Sequence, residues 1–98
     1  MKKVRDPALV RDFCQIPNVG KATAADFLRL GLTEPQQLGQ QEAHHLYLQL
    51  CELSNCRHDP CVEDVFAAAI EFMQGKANLP WWHYSQLRLN KARQTPSE

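Results

Sequence analysis

Hydrophobic residues recur at helical spacing in several short segments, and proline, glycine or capping residues separate these segments. The pattern is clearest from residue 41 to 53 and from 59 to 75, where apolar residues repeat three and four positions apart. The second segment has the stronger stripe and includes Phe66, so we expect it to form the central core helix. Because no segment alternates between polar and apolar residues as a half-buried strand does, the sequence predicts an all-α fold.

Two further helices are predicted before residue 41. Asp6 followed by Pro7 is typical of a helix start, since Asp can cap the helix and proline needs no amide donor at the first helical position. The apolar repeat after them predicts a helix that continues to the break at Ile16 and Pro17. The next repeat predicts a helix over 21–30, closed by a glycine.

The C-terminal part of the chain changes character twice. Leu79–Tyr84 is aromatic and contains a proline, which predicts an ordered segment that lies across the helices or begins a last short helix. We expect its two tryptophans to be buried. The residues that follow are polar and basic. We therefore predict one domain over 1–85, which includes the aromatic segment, and a flexible basic tail over 86–98.

Length and charge limit the possible functions. A chain of 98 residues matches one domain and excludes an active site in a deep cleft between domains. No apolar run approaches the roughly 18 residues that span a bilayer, so we expect a cytoplasmic protein without a membrane partner. The net charge is +0, yet residues 1–5 and 76–98 each carry +3 and residues 6–75 carry −6. The overall balance therefore gives no argument for a polyanionic partner.

The cysteines raise the question of a metal site. Cys51, Cys56, His58 and Cys61 offer four potential zinc ligands within eleven residues. Their C-x4-C-x4-C spacing is longer than the pairs of most structural zinc sites, and Cys51 falls on an apolar helical stripe, so the favoured interpretation is reduced thiols that pack in the core. The sequence also lacks a P-loop, a dinucleotide fingerprint and a nucleophile elbow. We expect no metal, no cofactor and no catalysis.

The most informative stretch runs from residue 13 to residue 32 and contains Ile-Pro-Asn-Val-Gly-Lys-Ala-Thr from residue 16. It resembles the helix-hairpin-helix motif, whose hairpin reads hydrophobic-Pro-Gly-hydrophobic-Gly before a Lys and an apolar helix. Such a turn lets the backbone approach a phosphate, and the amides and dipole of the second helix can bind the anion. The predicted phosphate-binding residues are Asn18, Gly20, Lys21 and Thr23.

Asn18 departs from the motif, since it stands where the first hairpin glycine is expected. Asparagine tolerates left-handed geometry better than most residues, so the turn can form, although the close approach of a phosphate is less assured. Two interpretations stay open at this point: a phosphate-binding hairpin and a turn with a purely structural role.

Other segments extend the resemblance. Residues 46–53, 58–66 and 80–82, together with the hairpin, are similar in order and spacing to the small bacterial pathogenicity-locus or mitomycin-resistance-like proteins. The resemblance covers about residues 7–85. It implies an all-helical, SAM-like bundle related to the C-terminal domains of TfoX-type competence regulators, and a role linked to nucleic acids. It implies no enzyme mechanism.

Together these features predict a small helical domain that binds DNA weakly and without sequence preference, through phosphates. The alternative is a protein-interaction module that holds a partner, or a second copy of itself, through its acidic body or its aromatic C-terminal segment. The sequence does not indicate the oligomeric state.

Overall fold

Capping residues set the ends of the helices. Glu42 accepts hydrogen bonds from the amides of His44 (3.0 Å) and His45 (3.1 Å) and starts one helix, and Asn55, in the left-handed conformation (φ 51°), ends it.

The structure, a computed structural model, describes residues 2–76 and 79–94. In these ranges it holds four α-helices and no strand, which confirms the all-α class. The helices are α1 (Lys21–Arg29), α2 (Ala43–Ser54), α3 (Cys61–Met73) and α4 (Trp81–Gln94), and 3-10 segments lie at Pro7–Leu9, Phe13–Gln15 and Pro35–Gln40. Within the described ranges, no helix is long and apolar enough to cross a membrane.

The predicted central helix, α3, lies at the middle of the core. It packs against α2, α4 and the Pro35–Gln40 segment. Phe66 and Ile70 from its apolar stripe are buried, as predicted. The ring of Phe66 lies 5.2 Å from that of Phe27, which lies 5.2 Å from that of Phe13, measured between centroids. This row of aromatic rings joins α3 to α1 and to the segment before it.

The prediction of one helix from residue 7 to residue 15 is wrong. Two separate 3-10 turns occupy this part of the chain, because Asp6 and Asp12 each cap a turn of their own and the Gln15 side chain closes the second cap. Between the turns Val10 has an extended backbone (ψ 126°) and is fully buried. The first arm of the predicted helix-hairpin-helix is therefore not an α-helix.

The predicted boundary between domain and tail falls inside α4, which continues to Gln94. Arg88 anchors this helix, because its Nε donates to Oδ1 of the buried Asp64 on α3 over 3.1 Å and the same hydrogen bonding raises the pKa of Arg88. The residues predicted as a flexible tail, 86–98, are thus helical as far as residue 94. Residues 95–98 lie outside the described part of the chain.

The expected burial of both tryptophans is also wrong. Trp81 is 37% exposed and Trp82 is 56% exposed. Tyr84 is the buried aromatic of this segment, and its hydroxyl donates to Oε1 of Glu71 over 3.2 Å. Burial raises the pKa of Tyr84 to about 12, so the phenol stays a donor across the physiological range. One aromatic residue in the first turn of α4 therefore completes the core, and the indoles remain at the surface.

Candidate functional site

The Ile16–Gly20 turn joins the Phe13–Gln15 segment to α1. The amide of Val19 donates to the carbonyl of Ile16 over 3.1 Å, and Asn18 between them has a φ of 72°. This left-handed conformation favours glycine, but asparagine tolerates it. Ile16 and Val19 are buried and hold the turn against the core. The residue that departs from the motif thus still makes the turn.

The start of α1 is open. Gly20 is its N-cap and Lys21 its first residue, and both are exposed. Among the residues that the structure describes, no side chain caps this end of the helix. The N-terminal amides and the positive end of the helix dipole are therefore available to an anion.

A cavity of about 460 Å³ lies beside the turn. Its lining residues include Lys3, Lys21, Asp12 and Gly20. Asp12 accepts a hydrogen bond from the amide of Cys14 over 2.9 Å. These lining residues carry two positive charges and one negative charge, so the lining favours an anionic ligand.

Lys3 is the site residue that the sequence analysis missed. Its ammonium donates to the carbonyls of Cys14 (2.8 Å), Ile16 (2.9 Å) and Val19. These three hydrogen bonds use all three N–H donors of the ammonium and hold the three carbonyls in place. The partners lie 11 to 16 positions away in the chain, so no local pattern could have revealed them.

The structure brings two of the four predicted phosphate-binding residues to the cavity. The side chain of Asn18 is used elsewhere: its Nδ2 donates to the carbonyl of Leu79 over 2.9 Å, and its Oδ1 accepts from the amide of Trp81 over 3.3 Å. Thr23 is half-buried and does not line the cavity. Asn18 therefore ties the turn to the start of α4.

Cys51 and Cys56 both lie near His58, in the part of the chain that joins α2 to α3. Sγ of Cys56 lies 3.9 Å from Nε2 of His58, and Sγ of Cys51 accepts from the His58 amide over 3.5 Å. Hydrogen bonding to Asp59, more than burial, raises the pKa of the Cys61 thiol and disfavours the thiolate that a metal needs. In residues 2–76 and 79–94, no three His, Cys, Asp or Glu side chains are arranged to hold a metal ion.

We expect the purified protein to contain no stoichiometric zinc and to keep its helical circular dichroism in a chelator. The reason is geometric: zinc ligands meet within about 2.0 to 2.3 Å of a common point, and these side chains do not converge. Elemental analysis measures the metal content directly. One zinc per chain would contradict the packing interpretation and make residues 51–61 a metal-held loop.

Comparisons with known proteins identify the family. Residues 6–90 match the model of the family described as "Pathogenicity locus" (Cdd1). The mitomycin resistance protein McrB of Streptomyces lavendulae is 35% identical over 77 residues, which is 79% of this chain and 73% of that protein. No solved structure matches the chain significantly. The family match includes the turn, the start of α1 and most of α4, and it confirms the predicted resemblance. The chain belongs to the pathogenicity locus family.

Proposed function

We propose that this protein binds DNA without sequence preference, by holding backbone phosphates at the start of α1. One observation carries the proposal: Gly20 and Lys21, at the uncapped start of α1, line a cavity whose lining residues carry a net positive charge. Amides at a helix N-terminus and nearby lysines are the groups that bind phosphate in proteins. The turn and α1 then act as the hairpin and second helix of a helix-hairpin-helix.

The same geometry limits specificity and affinity. Backbone amides and lysines recognise phosphates and cannot read base edges, so we expect no preference among duplex sequences. The acidic stretch from residue 6 to residue 75 repels DNA outside the cavity, which restricts contact to few phosphates. On this proposal the protein is a binding protein of the cytoplasm and not an enzyme.

Gly20→Asp is expected to stabilise the protein and to weaken DNA binding. The backbone of Gly20 (φ −102°, ψ −172°) accepts a side chain, and a Cβ there meets nothing within 4 Å. An N-cap carboxylate should raise the free energy of unfolding by about 0.3 to 1 kcal/mol. The same carboxylate would occupy the anion site and repel phosphate, lowering affinity about tenfold. Urea unfolding and fluorescence anisotropy with a labelled duplex measure the two effects.

Gly20→Asn is the matched control, because it caps the same amides without the charge. It should bind DNA better than Gly20→Asp.

Lys21→Glu should weaken the binding of all duplex sequences alike. A Lys91→Gln, Arg93→Gln double variant tests the basic end of α4, where the sequence offers another source of positive charge. If the double variant abolishes binding and the variants at the turn do not change it, the turn is not the binding site.

A second candidate, a protein-interaction module, is favoured by a different observation. The described residues include large hydrophobic side chains that are more than half exposed, among them Leu28, Leu53 and Trp82. On this alternative the wild-type protein shows no duplex binding even at low salt, and it forms a dimer or a complex in sedimentation experiments.

A further inference from the structure

Two tryptophans lie at the protein surface beside the turn. Trp81 and Trp82 are the first two residues of α4 and are 37% and 56% exposed. A small domain gains stability by burying such side chains, and here Tyr84 of the same turn is buried while they are not. We call these two side chains the indole face. Its exposure points to a ligand rather than to the core.

The start of α4, which carries the indole face, is held next to the turn. Asn18 bonds to the carbonyl of Leu79 over 2.9 Å and to the amide of Trp81 over 3.3 Å, and Gly20 follows Asn18 by two residues. Helical side chains tilt toward the N-terminus of their helix, and Asn18 contacts that end of α4. One side chain therefore ties the turn before α1 to the backbone at the start of α4, which carries the two tryptophans.

The cavity and the indole face, on the two sides of Asn18, restrict which ligand can bind. On one side Lys3 and Lys21 give the cavity a net positive lining, which fits an anionic backbone. On the other side flat aromatic rings are exposed, which fit the faces of nucleobases. A duplex presents phosphates but keeps its base faces stacked inside the helix. Single-stranded DNA presents both groups along one chain.

We propose that the indole face stacks on unpaired bases of single-stranded DNA whose phosphates lie in the cavity at Gly20 and Lys21. This inference rests on the proposed function and adds the substrate class: single strands, or the unpaired segments of ends and gaps, in preference to intact duplex. Stacking is tolerant of sequence because every base has an aromatic face. The preference is therefore for a DNA structure and not for a sequence.

The test compares three labelled ligands of equal length: oligothymidylate, an abasic oligonucleotide with the same phosphates, and a duplex. We expect oligothymidylate to bind about 5- to 150-fold more tightly than the abasic strand. The chain contains two tryptophans, both on the indole face, so binding should quench its intrinsic fluorescence. In Trp81→Phe, which leaves Trp82 as the sole tryptophan, the quenching reports that ring alone.

Trp82→Ala should lose most of the preference for oligothymidylate and keep its affinity for the abasic strand. Leu87→Ala is the matched control, since Leu87 is a similarly exposed (51%) apolar residue of α4, and it should leave the preference unchanged. Circular dichroism establishes that each variant is folded, and the comparison of oligothymidylate with the abasic strand needs no variant at all.

The outcomes separate this inference from the proposed function. If oligothymidylate and the abasic strand bind equally and Gly20→Asp weakens both, the stacking inference fails and phosphate binding stands. If Gly20→Asp changes no affinity, the proposed function fails. If Trp82→Ala abolishes self-association and leaves the preference for oligothymidylate unchanged, the indole face is a protein interface and the inference is overturned.

Discussion

Phe66→Ala is expected to lower the free energy of unfolding by about 3 to 5 kcal/mol, the usual cost of removing a buried aromatic ring. Phe66 is fully buried on the central helix, and its ring lies 5.2 Å from the ring of Phe27. The deletion removes apolar burial and leaves a cavity between α3 and α1. A domain of this size has a total stability of about 5 to 15 kcal/mol, so the variant should lose a large share of it. Urea unfolding followed by circular dichroism measures the loss.

Two control variants make the effect of Phe66→Ala interpretable. Phe66→Leu keeps most of the volume and should cost less than about 1.5 kcal/mol. Leu28→Ala removes an apolar side chain that is 59% exposed on α1, and such surface changes stay within about 0.5 kcal/mol. If Phe66→Ala costs no more than Leu28→Ala, α3 is not the centre of the core.

The sequence predicted α1, α2 and α3 because each has an apolar face that packs into the core and a clear start or stop. It predicted α4 in outline only, because this helix leaves Trp82, Leu87 and Leu89 exposed and so has a weak apolar stripe. What holds α4 is a polar contact between Arg88 and Asp64, which are 24 positions apart. Periodicity reports burial along one helix, and it carries no information on such a pair.

The candidate site also combines residues that the local sequence predicts with residues that it does not. Gly20 and Lys21 follow from the local turn motif, since a turn and the helix after it are set by neighbouring residues. Lys3 enters the site through carbonyls 11 to 16 positions away, and Asn18 reaches the start of α4 across 61 to 63 positions. The sequence indicated that Asn18 could take a left-handed conformation. The use of its side chain depends on the folded arrangement of the whole domain.

Arg88→Met is expected to lower the free energy of unfolding by about 3 kcal/mol, because it leaves a buried charge without its counter-charge. Asp64 is 2% exposed and accepts from Nε and Nη2 of Arg88, each at 3.1 Å, and from Oγ of Ser85 at 2.6 Å. Of these hydrogen bonds to the Asp64 carboxylate, only the one from the Ser85 hydroxyl would remain in Arg88→Met. We choose the low end of the usual range because the Arg88 side chain is 31% exposed, which lets water reach the pair.

The double variant Asp64→Leu, Arg88→Met removes both charges and should recover most of that loss, since apolar residues of similar size often replace a buried ion pair without cost. Urea unfolding of the wild type, both single variants and the double variant gives the coupling energy of the pair. Hydrogen exchange should show the amides of α4 losing protection first in Arg88→Met, because the helix has lost its anchor while the core around Phe66 is unchanged. Equal losses in Arg88→Met and in the double variant would mean that the unpaired charge of Asp64 does not cause the loss.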